Sequence, residues 1–89
     1  MAAPLKVSLV SADQEVWSGE AKQIIARTTE GEIGILAGHE PLLAILGAGE
    51  VRVTLVEGSV ITANAEDGFL SVEHDTVTIV ARNASLVSA

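Results

Sequence analysis

Cysteine is missing altogether, so no disulfide can staple this chain and no thiolate can ligate a metal or attack a substrate. Aromatic residues are nearly missing. Trp17 and Phe69 stand alone, with no tyrosine. The core therefore has to be aliphatic, and a ligand pocket lined with aromatics is out of reach. Basic residues are scarce, 5 Lys and Arg against 12 Asp and Glu. Binding to a phosphate backbone needs clustered Lys and Arg, so no nucleic acid is expected as a partner. No apolar run approaches the roughly 20 residues of a membrane-spanning helix, so direct insertion into a membrane is not expected. The opening Met-Ala-Ala-Pro-Leu-Lys has no basic stretch followed by an apolar one, and a signal peptide is not expected.

What is present is a small globular domain. The chain has 89 residues, 48% of them hydrophobic. One domain over 1–89 is expected, ordered from about 5 to 84, with 85–89 as a fraying tail. The net charge is −7 and unevenly placed. Lys6, Lys22 and Arg27 balance Asp13, Glu15 and Glu20, so the whole excess falls after residue 29. Solubility is the plain reading of that excess.

Alternation dominates the chain. Leu5, Val7 and Leu9 oppose Lys6 and Ser8, which reads as a strand with one solvated face. Ser11 to Gln14 is a polar turn, Glu15 to Ser18 a short strand ended by Gly19, and Ala21 to Thr29 a β-branched strand. Val51, Val53 and Leu55 oppose Arg52 and Thr54. Glu57-Gly58-Ser59 is a hairpin signal before the return strand Val60–Ala65. Asp67-Gly68 and His74-Asp75 read as further turns, separating Phe69–Glu73 from Thr76–Arg82. The sum is an all-β domain of about 8–10 short strands, an antiparallel β-sandwich or barrel.

One stretch departs from this pattern. Glu30 to Leu46, EGEIGILAGHEPLLAIL, holds Gly31, Gly34, Gly38, Pro41 and His39 among aliphatic residues. Ile33-Gly34-Ile35 reads as a strand, broken by Ala37-Gly38-His39-Glu40 because glycine permits positive φ and the residue before Pro41 is pushed out of the α region. Pro41 to Leu46 could start one helical turn, stopped by Gly47 and Gly49. Ile33, Ile35 and Leu36 are expected in the core, with Glu32, His39 and Glu40 presented outward. Leu42–Leu46 and Ile24–Ala26 would be aggregation-prone if exposed.

Catalytic constellations do not assemble from the sequence. His39 and His74 lie beside acids but without metal-ligand spacing. Ser11, His39 and Asp67 make a triad on paper, with no nucleophile elbow to present the serine. Glu30/Glu32 and Glu66/Asp67 are carboxylate pairs in turns, where general-acid work would need a buried cleft. Gly31, Gly34 and Gly38 lack the lysine and the long helix of a phosphate loop. Asn83-Ala84-Ser85 fits a glycosylation sequon by chance. No catalytic residue, cofactor or metal is expected. The residues alone point to a binding or structural module. A free-standing β-sandwich binding module and, more remotely, a small hydrolase using His39 are the alternatives.

The segment Gly31–Gly49, GEIGILAGHEPLLAILGAG, resembles the epsilon subunit of F-type ATP synthases, whose signature runs Gly-Glu-(Ile/Leu)-Gly-Ile-x-x-Gly-His-x-Pro-Leu. VSLVSADQEVWSGEAKQI near the start, Glu50–Val53, and DGFLSVEHDTVTIVARNA at the end are similar to the same family, so the resemblance runs from about Leu5 to Ala84. It implies a flattened ten-stranded β-sandwich in the central stalk, bound to the foot of the gamma subunit and resting on the polar loops of the c-ring. Such a domain performs no chemistry and couples proton-driven rotation to the catalytic head. It would be peripheral to the membrane on the cytoplasmic face, or the thylakoid or inner-membrane equivalent. Carried over, Glu30, Gly31 and Glu32 would lie near the c-ring loops. Gly38, His39, Glu40, Pro41, Leu43 and Ala44 would meet gamma and the c-ring, and Ser11 would share that rim. Ala37 stands where the family often has proline, and Asp67 where it often has glycine. Members usually carry two further helices after the sandwich, which bind ATP in some and inhibit ATP hydrolysis in others. The sequence stops at Ala89, either cut before those helices or from a member without them, and no regulatory role is read from the resemblance.

Overall fold

Strands with one wet and one dry face must stack their dry faces, and this chain does so by folding one sheet over on itself. The computed structural model describes residues 4–11 and 14–87. Six strands follow in order: β1 Leu5–Ser11, β2 Gln14–Thr28, β3 Gly31–Leu36, β4 Leu42–Leu55, β5 Val60–Glu73 and β6 Thr76–Val87. Their hydrogen-bonded order is β1-β6-β5-β4-β2-β3, and a β1–β2 pairing closes the ring.

The expected 8–10 short strands are thus six, because four of them bend instead of ending. Between β4 and β5 the ladder lapses after Leu46↔Gly68 and resumes in the same register at Gly49↔Ala65. Between β5 and β6 it skips Asp67 and Arg82. Asp67 takes φ 58 there, so the residue expected in a turn does occupy a left-handed position, but inside a continuous strand. On β2, β1 pairs up to Ala21 and β3 takes over from Gln23, with an irregularity against β4 at the same place. Gly19 therefore ends nothing. Each long strand serves two layers. One layer holds Gln14–Ala21, β1, Thr76–Ala81, Gly68–Glu73 and Leu42–Leu46. The other holds β3, Gln23–Thr28, Gly49–Leu55, Val60–Glu66 and Asn83–Val87.

Three further expectations are corrected. Leu42–Leu46 is strand, not a helical turn, because its backbone pairs with Leu70, Ser71 and Val72 of β5. The tail expected at 85–89 is strand as far as Val87, where β6 runs against Thr62–Glu66, while Ser88 and Ala89 lie outside the described residues. The sheet is not wholly antiparallel, since β1 and β6 run parallel from Lys6↔Thr76 to Ser11↔Ala81. Ala12 and Asp13 of the expected first turn lie outside the described residues. Ser11 and Gln14 pair on either side of them.

The core is one cluster drawn from both layers. The first layer supplies Leu5, Val7, Leu9, Leu70, Val72, Val77 and Ile79. The second supplies Ile24, Ile35, Val51 and Val53, with the small Ala26, Ala63 and Ala65. Large side chains opposite small ones fill the space densely without aromatics. Trp17 is half-buried, its ring lying over Gly19 so closely that a Cβ there would fall 2.8 Å from it. The result measures 35 × 27 × 23 Å.

Candidate interaction surface

The stretch Glu30–Leu46 forms the side of the sandwich where both layers end. Among the described residues, β3 pairs only with β2, and Leu42–Ala44 pair only with β5, so each presents one edge of backbone groups that no described strand covers. The hairpin entering β3 is fixed by Thr28. Its Oγ1 accepts from the Glu30 N–H at 3.1 Å and donates to the Gly31 carbonyl at 2.7 Å. The local hydroxyl replaces what a longer ladder would supply. Thr29 N–H then donates to the Ile45 carbonyl at 2.9 Å, which sets the Glu30–Gly31 turn beside the free edge of β4.

At the far end of β3 a tight turn reverses the chain. His39 N–H donates to the Leu36 carbonyl at 3.1 Å, and Gly38 has φ 86. A four-residue turn with positive φ only at its third residue is type II, which wants glycine at that position. Gly38 N–H donates to Asp75 Oδ1 at 2.7 Å. His39 Nδ1 lies 2.7 Å from the Glu40 carbonyl oxygen. A carbonyl only accepts, so Nδ1 carries the hydrogen and Nε2 is left free.

Glu32 and His39–Glu40 thus sit at opposite ends of β3, joined by the exposed edge. Glu32 is not a lone carboxylate. It pairs with Arg27 across the ladder, and its Oε2 lies 3.5 Å from Arg52 Nη2. Leu36, expected in the core, points outward at 58% exposure, while Ile35 is fully buried beside it. Strand parity forbids both from facing inward. Leu43 is 68% exposed, and Ala44 is half-buried between the layers. Pro41 is exposed just before β4. Ser11 does not join this side. It lies on the β1–β6 seam, bonded to Arg82 and Ala84.

Sequence reasoning missed the largest feature. On the outer face of the first layer four apolar residues line up across four strands: Val10 beside Val80, Val80 beside Phe69, Phe69 beside Ile45. Ile45 is 57% and Phe69 39% exposed. The next row is hydroxyl-rich, Ser8, Thr78 and Ser71, and ends on Leu43. The signal was available: an apolar residue at the outward parity of each strand, always at the same end. The outer face of the second layer carries Glu32, Arg27, Arg52, Glu50, Asn64 and Ser85, and its exposed apolar residues Leu36, Val60 and Val87 each pair with a polar neighbour instead of with one another.

The candidate sets named from the sequence are not brought together among the described residues. Ser11, His39 and Asp67 share no hydrogen bond among the described residues. His74 lies 4.0 Å from Glu73 in the open. No group of three or more candidate ligands that could hold a metal occurs among the described residues. A cleft of about 500 Å³ is lined by Ser11, Gly49, Asn64, Glu66, Asn83 and Ser85, with no aromatic wall. Among the described residues, no helix is long and apolar enough to cross a membrane.

Residues 4–87 match the family model of the ATP synthase delta/epsilon chain β-sandwich domain. The chain belongs to that family. It is 52% identical over 87 residues to the ATP synthase epsilon chain of Micrococcus luteus, covering 98% of this chain and 96% of that one. It is 46% identical to the epsilon chain of Streptomyces griseus, covering 97% of this chain and 69% of that one. Among solved structures, a chain of the Euglena gracilis mitochondrial ATP synthase (OSCP/F1/c-ring) superposes with a TM-score of 0.90 at 28% identity. The match covers 97% of this chain and spans 55% of the Euglena chain. A chain of the Tetrahymena thermophila mitochondrial ATP synthase central stalk and c-ring shares the fold, with a TM-score of 0.74 at 18% identity. As a delta/epsilon-family β-sandwich, the domain is part of an ATP synthase.

Proposed function

We propose that this domain is a rotor part of a proton-translocating F-type ATP synthase, seated in the central stalk against gamma and the c-ring. The observation that carries the reading is the apolar row Val10–Val80–Phe69–Ile45, continued by Leu43 to the open edges of β3 and β4. Exposed apolar rows of this length are contact surfaces, and burying each large side chain contributes about 1.5–3 kcal/mol. We assign this face to gamma. The Glu30–Gly31–Glu32 turn is assigned to the polar loops of the c-ring, and the Gly38–Pro41 loop at the other end of β3, beside Leu43, to the place where gamma and the c-ring both meet the domain. A stiff sandwich bonded on two sides passes torque between them without any chemistry of its own. Its place is at the membrane surface, on the side where the catalytic head lies. Support comes from the likeness to chains of F1/c-ring and central-stalk assemblies. A free-standing ligand-binding module is disfavoured, because the 500 Å³ cleft is open and has no aromatic lining, and a second cleft of about 460 Å³, beside Trp17, is more open still and has that one aromatic wall.

Mixing the chain with the gamma subunit and following co-elution on a sizing column tests this. A one-to-one complex is expected. No complex at tens of micromolar would sink the assignment.

A further inference from the structure

Asp75 makes contacts in three directions. It is the second residue of the β5–β6 hairpin, closed by the pair Glu73↔Thr76. Its carbonyl accepts from the Lys6 N–H at 2.8 Å, which fixes the start of β1. Its carboxylate Oδ1 accepts from the Gly38 N–H at 2.7 Å, which ties down the turn between β3 and β4. Among the described residues, it is the one side chain outside the Ala37–Pro41 loop that hydrogen-bonds that loop.

The hairpin itself does not call for aspartate. His74 has φ 49 and Asp75 φ 60, the two positive values of a type I′ turn. Glycine meets that demand at least cost, and a side chain there carries conformational strain. A strained residue whose carboxylate meets a backbone amide 37 positions away is explained by that bond, not by its own turn. The loop it holds carries His39, Glu40 and Pro41, and Gly38 is itself at positive φ, so without a tie this short exposed segment has other conformations available.

We propose that Asp75 is a positioning residue for the partner surface: it presets the Gly38–Pro41 loop so that the loop meets its partner already ordered. The identity of the partner rests on the rotor reading above; the effect on the loop does not. Preordering raises affinity by removing the ordering cost from the binding step.

The test compares Asp75→Gly and Asp75→Asn with the parent 89-residue chain. In the isolated chain, amide exchange of Gly38 is measured by NMR. Asp75→Gly should speed it by about tenfold or more, and Asp75→Asn, which keeps an accepting oxygen, should hold it within about twofold. Unchanged exchange in Asp75→Gly overturns the inference. The thermal midpoint and the affinity for gamma are then read together. For Asp75→Gly the midpoint should hold or rise, because glycine suits the turn, while affinity falls by about tenfold. Asp75→Asn should restore the affinity. Affinity unchanged in Asp75→Gly, or midpoint and affinity falling together without rescue by asparagine, shows a plain turn residue and overturns the proposal. If the parent chain fails to bind gamma, the rotor reading falls and the Gly38 exchange alone decides on Asp75.

Discussion

Ser11 Oγ accepts a hydrogen bond from the Ala84 N–H at 3.2 Å and donates one to the Arg82 carbonyl at 3.5 Å. The β1–β6 ladder ends at Ser11↔Ala81, so the hydroxyl continues it by one step after the strand has stopped. That step spans the bend of β6 and holds Asn83–Val87 against the second layer. Ser11 is therefore part of the architecture rather than of the open side formed by Glu30–Leu46. Ser11→Ala should cost about 1 kcal/mol in urea unfolding, the usual worth of such a bond. It should also speed amide exchange at Ala84, and leave gamma affinity within about twofold. A large loss of affinity at unchanged stability would return Ser11 to the partner surface.

How far the sequence could be read is clearest in this bend and in β4. Alternation located β1, the second half of β4 and the first half of β6, because one face of each is polar and the other is buried. The same alternation could not show that Asp67-Gly68 and Gly47–Gly49 are bends. Turn-type residues look alike whether the chain reverses or merely changes layer. Leu42–Leu46 lost its strand signal because both faces are apolar, Leu42 and Leu46 inward, Leu43 and Ile45 outward. A continuous apolar run of that length is helix or strand with equal right. Ser85–Val87 read as tail because what holds them, the pairing with Asn64, Ala63 and Thr62 of β5, leaves no mark in their own short sequence. The parallel pairing of β1 and β6 leaves no local trace at all. For the candidate site, glycine and proline located the turns at Glu30–Gly31 and Ala37–Glu40, and the family signature added only the expectation that they face partners. The apolar row was invisible because its four members come from four separate strands.

Gly68 and Asp67 are neighbours with opposite requirements. A Cβ on Gly68 would run into the Val80 carbonyl oxygen and the Ala81 backbone, neither of which can rotate away. Gly68→Ala should destabilise the fold by about 3 kcal/mol or more, by separating β5 from β6. Asp67 sits at φ 58, a conformation glycine adopts without a Cβ penalty and aspartate tolerates at small cost. Asp67→Gly should stay within about 1 kcal/mol of the parent. Denaturant midpoints of the two variants check the contrast, and equal loss in both would show that the bend is not as described.

Ala37 occupies the second position of the turn closed by His39 N–H and Leu36 C=O. A type II turn favours proline there, and the Ala37 N–H has no backbone acceptor outside the ladders. Leu36 before it is extended, as proline requires of its predecessor. Ala37→Pro should therefore stabilise the chain by about 0.4–1 kcal/mol through the unfolded state. Calorimetry decides it, and a lowered midpoint would mean the turn is of another type.

Glu32 lies between Arg52, 3.5 Å away, and its ladder partner Arg27. Both members of the ion pair are 49% exposed, so the pair contributes at most about 1 kcal/mol after solvent screening. Glu32→Lys would set a third positive charge there, and Glu32→Gln would only remove the negative one. If this turn meets basic c-ring loops, both variants should weaken co-sedimentation of the gamma complex with c-ring proteoliposomes, Lys more than Gln. The difference should shrink at high salt. Equal sedimentation of all three at low salt would remove electrostatics from that contact.

The apolar row makes the sharpest demand. Ile45 and Phe69 face outward from the first layer, so a charge on either leaves the core untouched. Ile45→Glu and Phe69→Glu should each keep the parent's thermal midpoint within a few degrees, since surface changes of this kind shift stability by about 0.5 kcal/mol. At a packed partner interface the same carboxylate is buried without a counter-charge. Each variant should then lose at least about 2 kcal/mol of gamma affinity, roughly thirtyfold. Asn64→Glu places the same charge on the outer face of the second layer and serves as the control. If gamma sits on the first layer, Asn64→Glu binds as the parent does, measured by calorimetric titration. Loss of affinity in Asn64→Glu with Ile45→Glu and Phe69→Glu intact would move gamma to the second layer and leave the row to another partner.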